Sequence, residues 1–331
     1  MEDKVSVLLF TYNQEEFIRE AVESVINQTF KNWELIINDN GSSDGTRKIL
    51  EEYSQDIRIK LLVSEENLPI QFQWNRSLNE SSGKFISILF GDDFYLPDKL
   101  NLQVNSFKSL GKDWGVVHGP GFTLKQNTED RHFSPSSEVN GTALKSILKN
   151  FDKGVFINVI SPLIRKTCFE EYPLYEDLFT EGEAIYFKFA LSYKYSYLSE
   201  PLVVMREHET NAGWHAKRNI EVLDACLKRL GEHSNFPKNS YRALNKVRVK
   251  TYMKGAWMNV RLSNSMDPVY VRNRLFKAYK LDYFQIFSFK NIFCFILTFV
   301  PKVLLKRINS LINFLLKKEK QLYFDDRFIK E

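Results

Sequence analysis

The sequence has little cysteine, little glycine and no long apolar run. Its three cysteines, Cys168, Cys226 and Cys294, are odd in number and far apart. With no CxxC pair, neither a disulfide framework nor a zinc site is indicated, and the thiols read as those of a reducing compartment. The amino terminus, MEDKVSVLLFTYN, lacks the basic stretch and apolar core of a secretory signal. There is no internal repeat and no low-complexity tract. In the apolar carboxyl-terminal part, the charge-free run 291–301 stops at eleven residues. A membrane span needs roughly twenty. The first apolar run leads into FTYNQEEF, which has neither glycine nor lysine. That excludes the glycine-rich, basic phosphate loop expected of a nucleotidyltransferase. A net charge of +5 is mild, and the basic residues of the tail are interleaved with aliphatic ones. This argues against nucleic acid as a partner.

What is present reads as a folded protein: 331 residues, 44% hydrophobic and 26% charged. The length suits one large domain, or a catalytic domain with an appendage. Residues 5–10, 35–37, 57–63 and 85–90 form apolar runs of strand length. Helical patterns alternate with them. One follows Asn13, which with Glu16 has the spacing of a capping box. A second begins near Asp44, and a third spans 71–82 and is closed by Gly83. The alternation predicts an α/β fold with a mostly parallel sheet flanked by helices. In such sheets ligands sit beyond the carboxyl ends of the strands. The polar clusters Thr11-Tyr12-Asn13, Asp39-Asn40-Gly41 and Asp92-Asp93 all fall there. Farther along, 125–141 reads as an exposed loop, 143–150 as a helix and 155–165 as a strand.

Asp92 and Asp93 end the apolar run FISILF. Adjacent carboxylates repel, so the pair predicts a positive partner. Oxygen ligands at this point suit Mg²⁺ or Mn²⁺, which bridge phosphate oxygens. An Asx turn, or a cap for the helix after Pro97, is the purely structural alternative.

Two segments, VSVLLFTYNQEEFIREAVESVINQTFKNWELIINDNGSSDGT and ENLPIQFQWNRSLNESSGKFISILFGDDFYLPDKL, resemble the family 2 inverting glycosyltransferases of bacterial surface polysaccharide synthesis, of the capsule and O-antigen type. These have the GT-A fold, a Rossmann-like α/β arrangement. The resemblance is close over about the first hundred residues and loose to about residue 213. It implies a catalytic domain over 1–215, with a nucleotide-sugar half (1–100) and an acceptor half (101–215). It also implies a nucleotide-sugar donor, with UDP favoured, and a saccharide or polyprenyl-linked acceptor. Thr11, Tyr12 and Asn13 would line the nucleobase pocket. Asp39 would accept from the base N3–H, with Gly41 and Ser42 shaping the loop and Asn75 on the donor side. Asp92 and Asp93 would stand for the metal-holding DXD element, with Asp92 also facing the nucleotide. Arg206 would contact the diphosphate, and His208 would be a further metal or phosphate contact. Phe90 stands where the family often has an acid, and Trp74-Asn75 where many relatives have Arg-Asn. The family's catalytic base is the Asp of a Glu-Asp pair opening a helix. In TEGEAIYFKFAL, Glu181 matches that Glu, and Gly182 takes the place of the Asp. Glu181, ahead of Glu183, is then the expected base; the alternatives are a base elsewhere in the chain, with both glutamates ordinary carboxylates at a helix start. A degenerate fold acting as a scaffold is the competing reading.

Residues 216–331 turn basic and helical. Ile308, Leu311, Ile312, Leu315 and Leu316 form an apolar stripe beside Lys306, Arg307, Lys317 and Lys318. This is the composition of an in-plane helix on anionic lipid. The alternative is a helix packed on the catalytic domain or on a second copy in an oligomer. With a lipid-linked acceptor, the expectation is a cytoplasmic protein at the inner face of the plasma membrane.

Overall fold

A computed structural model of the protein describes residues 3–208, 216–262, 266–301, 303–305 and 307–309. The chain divides into two units, one ending at His208 and the other beginning at residue 209. Among the described residues, no helix is long and apolar enough to cross a membrane.

The first unit is built on β1 (Val5–Thr11), β2 (Trp33–Asp39), β3 (Ile59–Val63) and β4 (Phe85–Phe90). These run parallel in the order β3-β2-β1-β4, as the unbroken apolar runs predict. Every residue of β1 is buried. Helices α1 (Ile18–Ile26), α2 (Thr46–Glu51) and α3 (Ile70–Glu80) connect the strands. Ile18, Ala21, Val22 and Val25 recur at helical spacing and bury one face of α1 in the core.

Beyond β4 the chain turns through β5 (Phe94–Tyr95) into α4 (Lys99–Lys108), then β6 (Trp114–His118) and β7 (Gly121–Lys125). There follow β8 (Arg131–Ser134), β9 (Gly141–Thr142), α5 (Leu144–Asp152), β10 (Leu163–Arg165) and α6 (Lys166–Glu171). A 3₁₀ turn at Gly182–Ala184 opens α7 (Ile185–Phe189), and β11 (Lys194–Tyr197) and β12 (Val203–Glu207) end the unit. Strands β10, β6, β11 and β9 extend the large sheet to eight strands. A second sheet has the order β5-β12-β7-β8.

Several local expectations are corrected. Asn13 does not cap α1: the helix starts at Ile18, and Asn13 has a positive φ of 51°. Its side chain instead accepts from the Ser43 amide. Gly83 does not close α3, which ends in extended backbone at Ser81. It is small because it lies on β1, where an added Cβ would meet the Ser6 amide at 2.6 Å. The expected loop at 125–141 contains β8, paired antiparallel with β7. The expected strand at 155–165 shortens to β10, and it runs antiparallel to β4 and β6.

Glu34 on β2 ties the non-functional end of the sheet. It accepts from Lys4 Nζ (2.7 Å), Ser6 Oγ and the Ser82 amide and hydroxyl. Burial opposes ionisation, but these donors together hold its carboxyl at about 2, against 4.5 for a free glutamate. A depressed folded-state pKa stabilises the fold above the unfolded value, and that stability disappears as pH falls from about 4.5 to about 2. Glu34→Gln is expected to lose roughly 2 kcal/mol near neutral pH after solvent screening. In urea titrations the gap between wild type and variant should close toward pH 2.

The second unit is helical: α8 (Ala216–Glu232), α9 (Tyr241–Leu262), α10 (Pro268–Leu281), a 3₁₀ turn at Tyr283–Phe287 and α11 (Phe289–Leu297). Asp267 caps α10, accepting from the Val269 and Tyr270 amides. Of the predicted apolar stripe, Ile308 packs against the core of this unit. Leu311, Ile312, Leu315 and Leu316 lie outside the described residues.

Candidate active site

The parallel register brings the three polar clusters to one rim. Thr11 pairs with Asp39, and Phe10 with Phe90. The Asn40 amide donates to Thr11 O and the Gly91 amide to Phe10 O, both at 2.9 Å. Gly91 permits this turn. A Cβ there would meet Gln14 Oε1 at 2.4 Å and Thr11 Oγ1 at 2.7 Å.

The first two clusters are stitched together. The Asn13 amide donates to Ser42 Oγ (2.9 Å), Gln14 N to Thr46 Oγ1 (2.8 Å) and Ser42 N to Asp39 Oδ1 (3.2 Å). Gly41, at φ +80°, holds the loop against the Glu66 carbonyl, leaving no room for a side chain. Tyr12 stays exposed above this floor. Asp39 is wholly buried, and its Oδ2 has no hydrogen-bond partner. An unpartnered buried carboxylate oxygen is costly unless a donor arrives.

On α3, Gln71, Trp74 and Asn75 share a face at i, i+3 and i+4. Trp74 stacks on Phe10, centroids 5.5 Å apart, and Phe10 in turn meets Phe90 at 6.3 Å. The two departures at positions 74 and 90 are thus one apolar cluster gathered around Phe10. Gln71 Nε2 and Trp74 Nε1 are buried without acceptors. Asn75 is half-buried beside them. Gln73 bridges Ser64 and Asn40 and fixes the loop after β2. The orphaned donors of Gln71 and Trp74 were not singled out from sequence, because glutamine and tryptophan on a helix carry no signature of an empty valence.

The small sheet completes the acidic end. β12 pairs antiparallel with β5, which directly follows Asp92-Asp93. His208, just past β12, therefore reaches the pair: its Nε2 lies 3.0 Å from Asp92 Oδ2. The Arg206 amide donates to Asp93 Oδ1 at 2.9 Å. Asp93 is buried, and desolvation and the neighbouring Asp92 charge push its carboxyl well above the usual range, against the pull of that amide. The Arg206 guanidinium pairs with Glu20 of α1 and lies over the rings of Phe17 and Phe94.

Among the described residues, no three His, Cys, Asp or Glu side chains form a complete metal cluster. Asp92 and His208 supply two adjacent donors, a carboxylate and an imidazole. Mg²⁺ and Mn²⁺ are commonly held by few protein ligands, with phosphate oxygens and water completing the shell. The mixed O/N pair suits Mn²⁺ better than Mg²⁺. The unbalanced charge that raises Asp93 also fits an added cation.

Glu181 and Glu183 diverge in environment. Glu181 is buried and paired with Lys188 at 2.8 Å, and it accepts from the Tyr175 amide at 2.6 Å. Lys188 also donates to Pro173 O. The ion pair braces the loop before α7, and the Phe179 carbonyl of that loop accepts from the Gln71 amide of α3. Glu183, half-buried, is outside this pair. Gly182 has φ +50°, and a Cβ there would meet nothing within 4 Å. His118 is structural: it is buried between Ser136 and the Val139 carbonyl, and burial lowers its imidazole to about 4.

Comparison with known proteins bears on the fold and the family. A curated relative, the UDP-Glc:alpha-D-GlcNAc-diphosphoundecaprenol beta-1,3-glucosyltransferase WfgD of Escherichia coli, is 41% identical over 101 residues, covering 30% of this chain and 40% of the relative. The matches span about 40% of the length of the curated relatives ranked first. Among solved structures, Staphylococcus aureus TarS 1–349 in complex with UDP-GlcNAc has a TM-score of 0.65 at 16% identity, covering 84% of this chain and 81% of that one. The mannosyltransferase PcManGT from Pyrobaculum calidifontis, in complex with GDP-Man and Mn²⁺, has a TM-score of 0.56 at 15% identity, covering 95% and 88%. The fold is GT-A. The family model described as glycosyl transferase family 2 matches residues 6–171, about half of the sequence, and the chain belongs to that family.

Proposed function

We propose that the protein is an inverting glycosyltransferase that moves a sugar from a UDP-sugar to a lipid-linked saccharide in bacterial surface polysaccharide synthesis. The observation that carries this reading is the buried Asp39, whose unpartnered Oδ2 stands on the same rim as the Asp92–His208 pair. A pyrimidine N3–H would satisfy that oxygen, and the nucleotide would run from the Thr11–Asn13 and Gly41-Ser42 loops toward Asp92. The Gln71 and Trp74 N–H groups would meet acceptor oxygens of the donor, with Asn75 beside them. Asp92 and His208 would hold a divalent ion, Mn²⁺ or Mg²⁺, which offsets charge on the departing diphosphate. Asp93 would position rather than ligate, locking the end of β12 through the Arg206 amide. Arg206 would brace α1 through Glu20 instead of contacting the diphosphate. Glu183 would take the acceptor hydroxyl proton as that oxygen attacks the anomeric carbon opposite the breaking C–O bond. The acceptor's lipid would place the enzyme at the inner face of the plasma membrane.

Calorimetric titration with UDP, CDP and GDP, each with Mn²⁺ and with EDTA, tests the donor site. UDP should bind best, and only tightly with metal. Asp39→Ala should weaken UDP about 10- to 100-fold, the worth of a charged hydrogen bond, without removing the metal dependence. Absence of binding by any diphosphate, and of UDP-sugar hydrolysis, would favour the scaffold reading instead.

A further inference from the structure

Helix α11 is apolar on both sides. Asn291, Cys294 and Leu297 face the core of the second unit. The opposite face would ordinarily be charged. Here it carries Phe289, Ile292, Phe295 and Ile296, continued by Phe299, all exposed, with Phe289 at 83% and Phe299 at 64%. The preceding turn adds exposed Tyr283, Phe284 and Phe287. Single exposed apolar residues are ordinary, but this many on one helix face and the turn leading into it mark an interaction surface.

Its rim is cationic. The Arg272 guanidinium lies 4.1 Å from the Phe299 ring centroid, held by a bond to Thr298 Oγ1. Lys280 lies over the exposed Phe276. From residue 266 to 309 there are eight lysines and arginines against two aspartates. α11 has nine residues, far too few to span a bilayer.

We propose that the face formed by Tyr283, Phe284, Phe287, Phe289, Phe295 and Phe299 docks in the plane of an anionic lipid bilayer. The rings enter the headgroup–acyl boundary, and Arg272 and Lys280 meet the headgroups. The rim charge selects lipid over a second copy of this chain, because a two-fold contact through the same face would set cations against cations. The surface lies upstream of the stripe expected from the sequence. The proposal draws its purpose from the lipid-linked acceptor proposed above, but its test does not use catalysis.

The full-length protein is sedimented with phosphatidylcholine vesicles, alone or with a third phosphatidylglycerol. Anionic vesicles should bind at least about tenfold better, and more weakly in high salt. Phe295→Ser with Phe299→Ser should cut partitioning to both vesicle types about tenfold or more. Lys280→Gln should cut anionic binding about fivefold and leave neutral binding unchanged. These positions are exposed, and unchanged melting curves would exclude misfolding. Equal partitioning of wild type and the double serine variant would overturn the proposal. So would a dimer, seen by sedimentation velocity, that the double variant disperses while wild type binds no vesicles. Loss of UDP binding with vesicle binding intact would overturn only the functional reading.

Discussion

Asp92→Ala is expected to lower sugar transfer about 10²- to 10³-fold or more, and to make UDP binding indifferent to EDTA. The expectation rests on position. β4 is buried along nearly its whole length, and the Gly91 turn fixes where the next side chain emerges. Asp92 is the partly accessible member of the pair, and its Oδ2 lies beside His208 Nε2. Asp93 is buried and engaged with the Arg206 amide. Its replacement should therefore act differently. Asp93→Ala removes a buried acceptor and leaves that amide unpaired, costing about 1–3 kcal/mol of stability. Calorimetry with and without Mn²⁺, beside thermal melting of both variants, separates the roles. Asp92→Ala should keep its melting temperature and lose metal-dependent binding. Asp93→Ala should melt earlier. If the metal dependence survives Asp92→Ala and vanishes only in Asp93→Ala, the assignment of the ligand is reversed.

The half of the site that rides on parallel strands was legible in the sequence. Runs such as VSVLLF and FISILF fit strands covered on both faces, and parallel pairing then carries Thr11, Asp39 and Asp92 to one rim. The other half depends on tertiary contacts with no local signal. Pairing of the two-residue strand Phe94–Tyr95 with β12 is what delivers His208 to Asp92, and no pattern announces so short a strand. Asn13 has the composition and spacing of a cap, but contacts with Ser42 and Ser43 outweigh that local preference and draw it into the loop. The ion pair of Arg206 with Glu20 joins residues remote in sequence, and no local pattern announces it. Orphaned atoms such as Asp39 Oδ2 become visible only when every neighbour is placed.

Glu183→Gln should reduce transfer about 10²- to 10⁴-fold, the usual loss for a general base, while leaving UDP affinity and melting temperature nearly unchanged. Glu181→Gln should do the reverse. Glu181 and Lys188 form a buried ion pair, with side-chain exposures of 2% and 6%. Removing the carboxylate strands the ammonium beside Pro173 O and the Tyr175 ring, which typically costs about 3–5 kcal/mol. The resulting loss of activity should follow the fraction folded and recover at lower temperature. Glu181→Gln combined with Lys188→Met removes both charges and should regain much of the stability, because apolar replacement of a whole buried pair is often neutral. On this reading the pair of carboxylates divides into Glu181, which holds the loop, and Glu183, which would serve as the base. A Glu183→Gln enzyme with full turnover would end that division. The base would then have to be sought on another element of the rim.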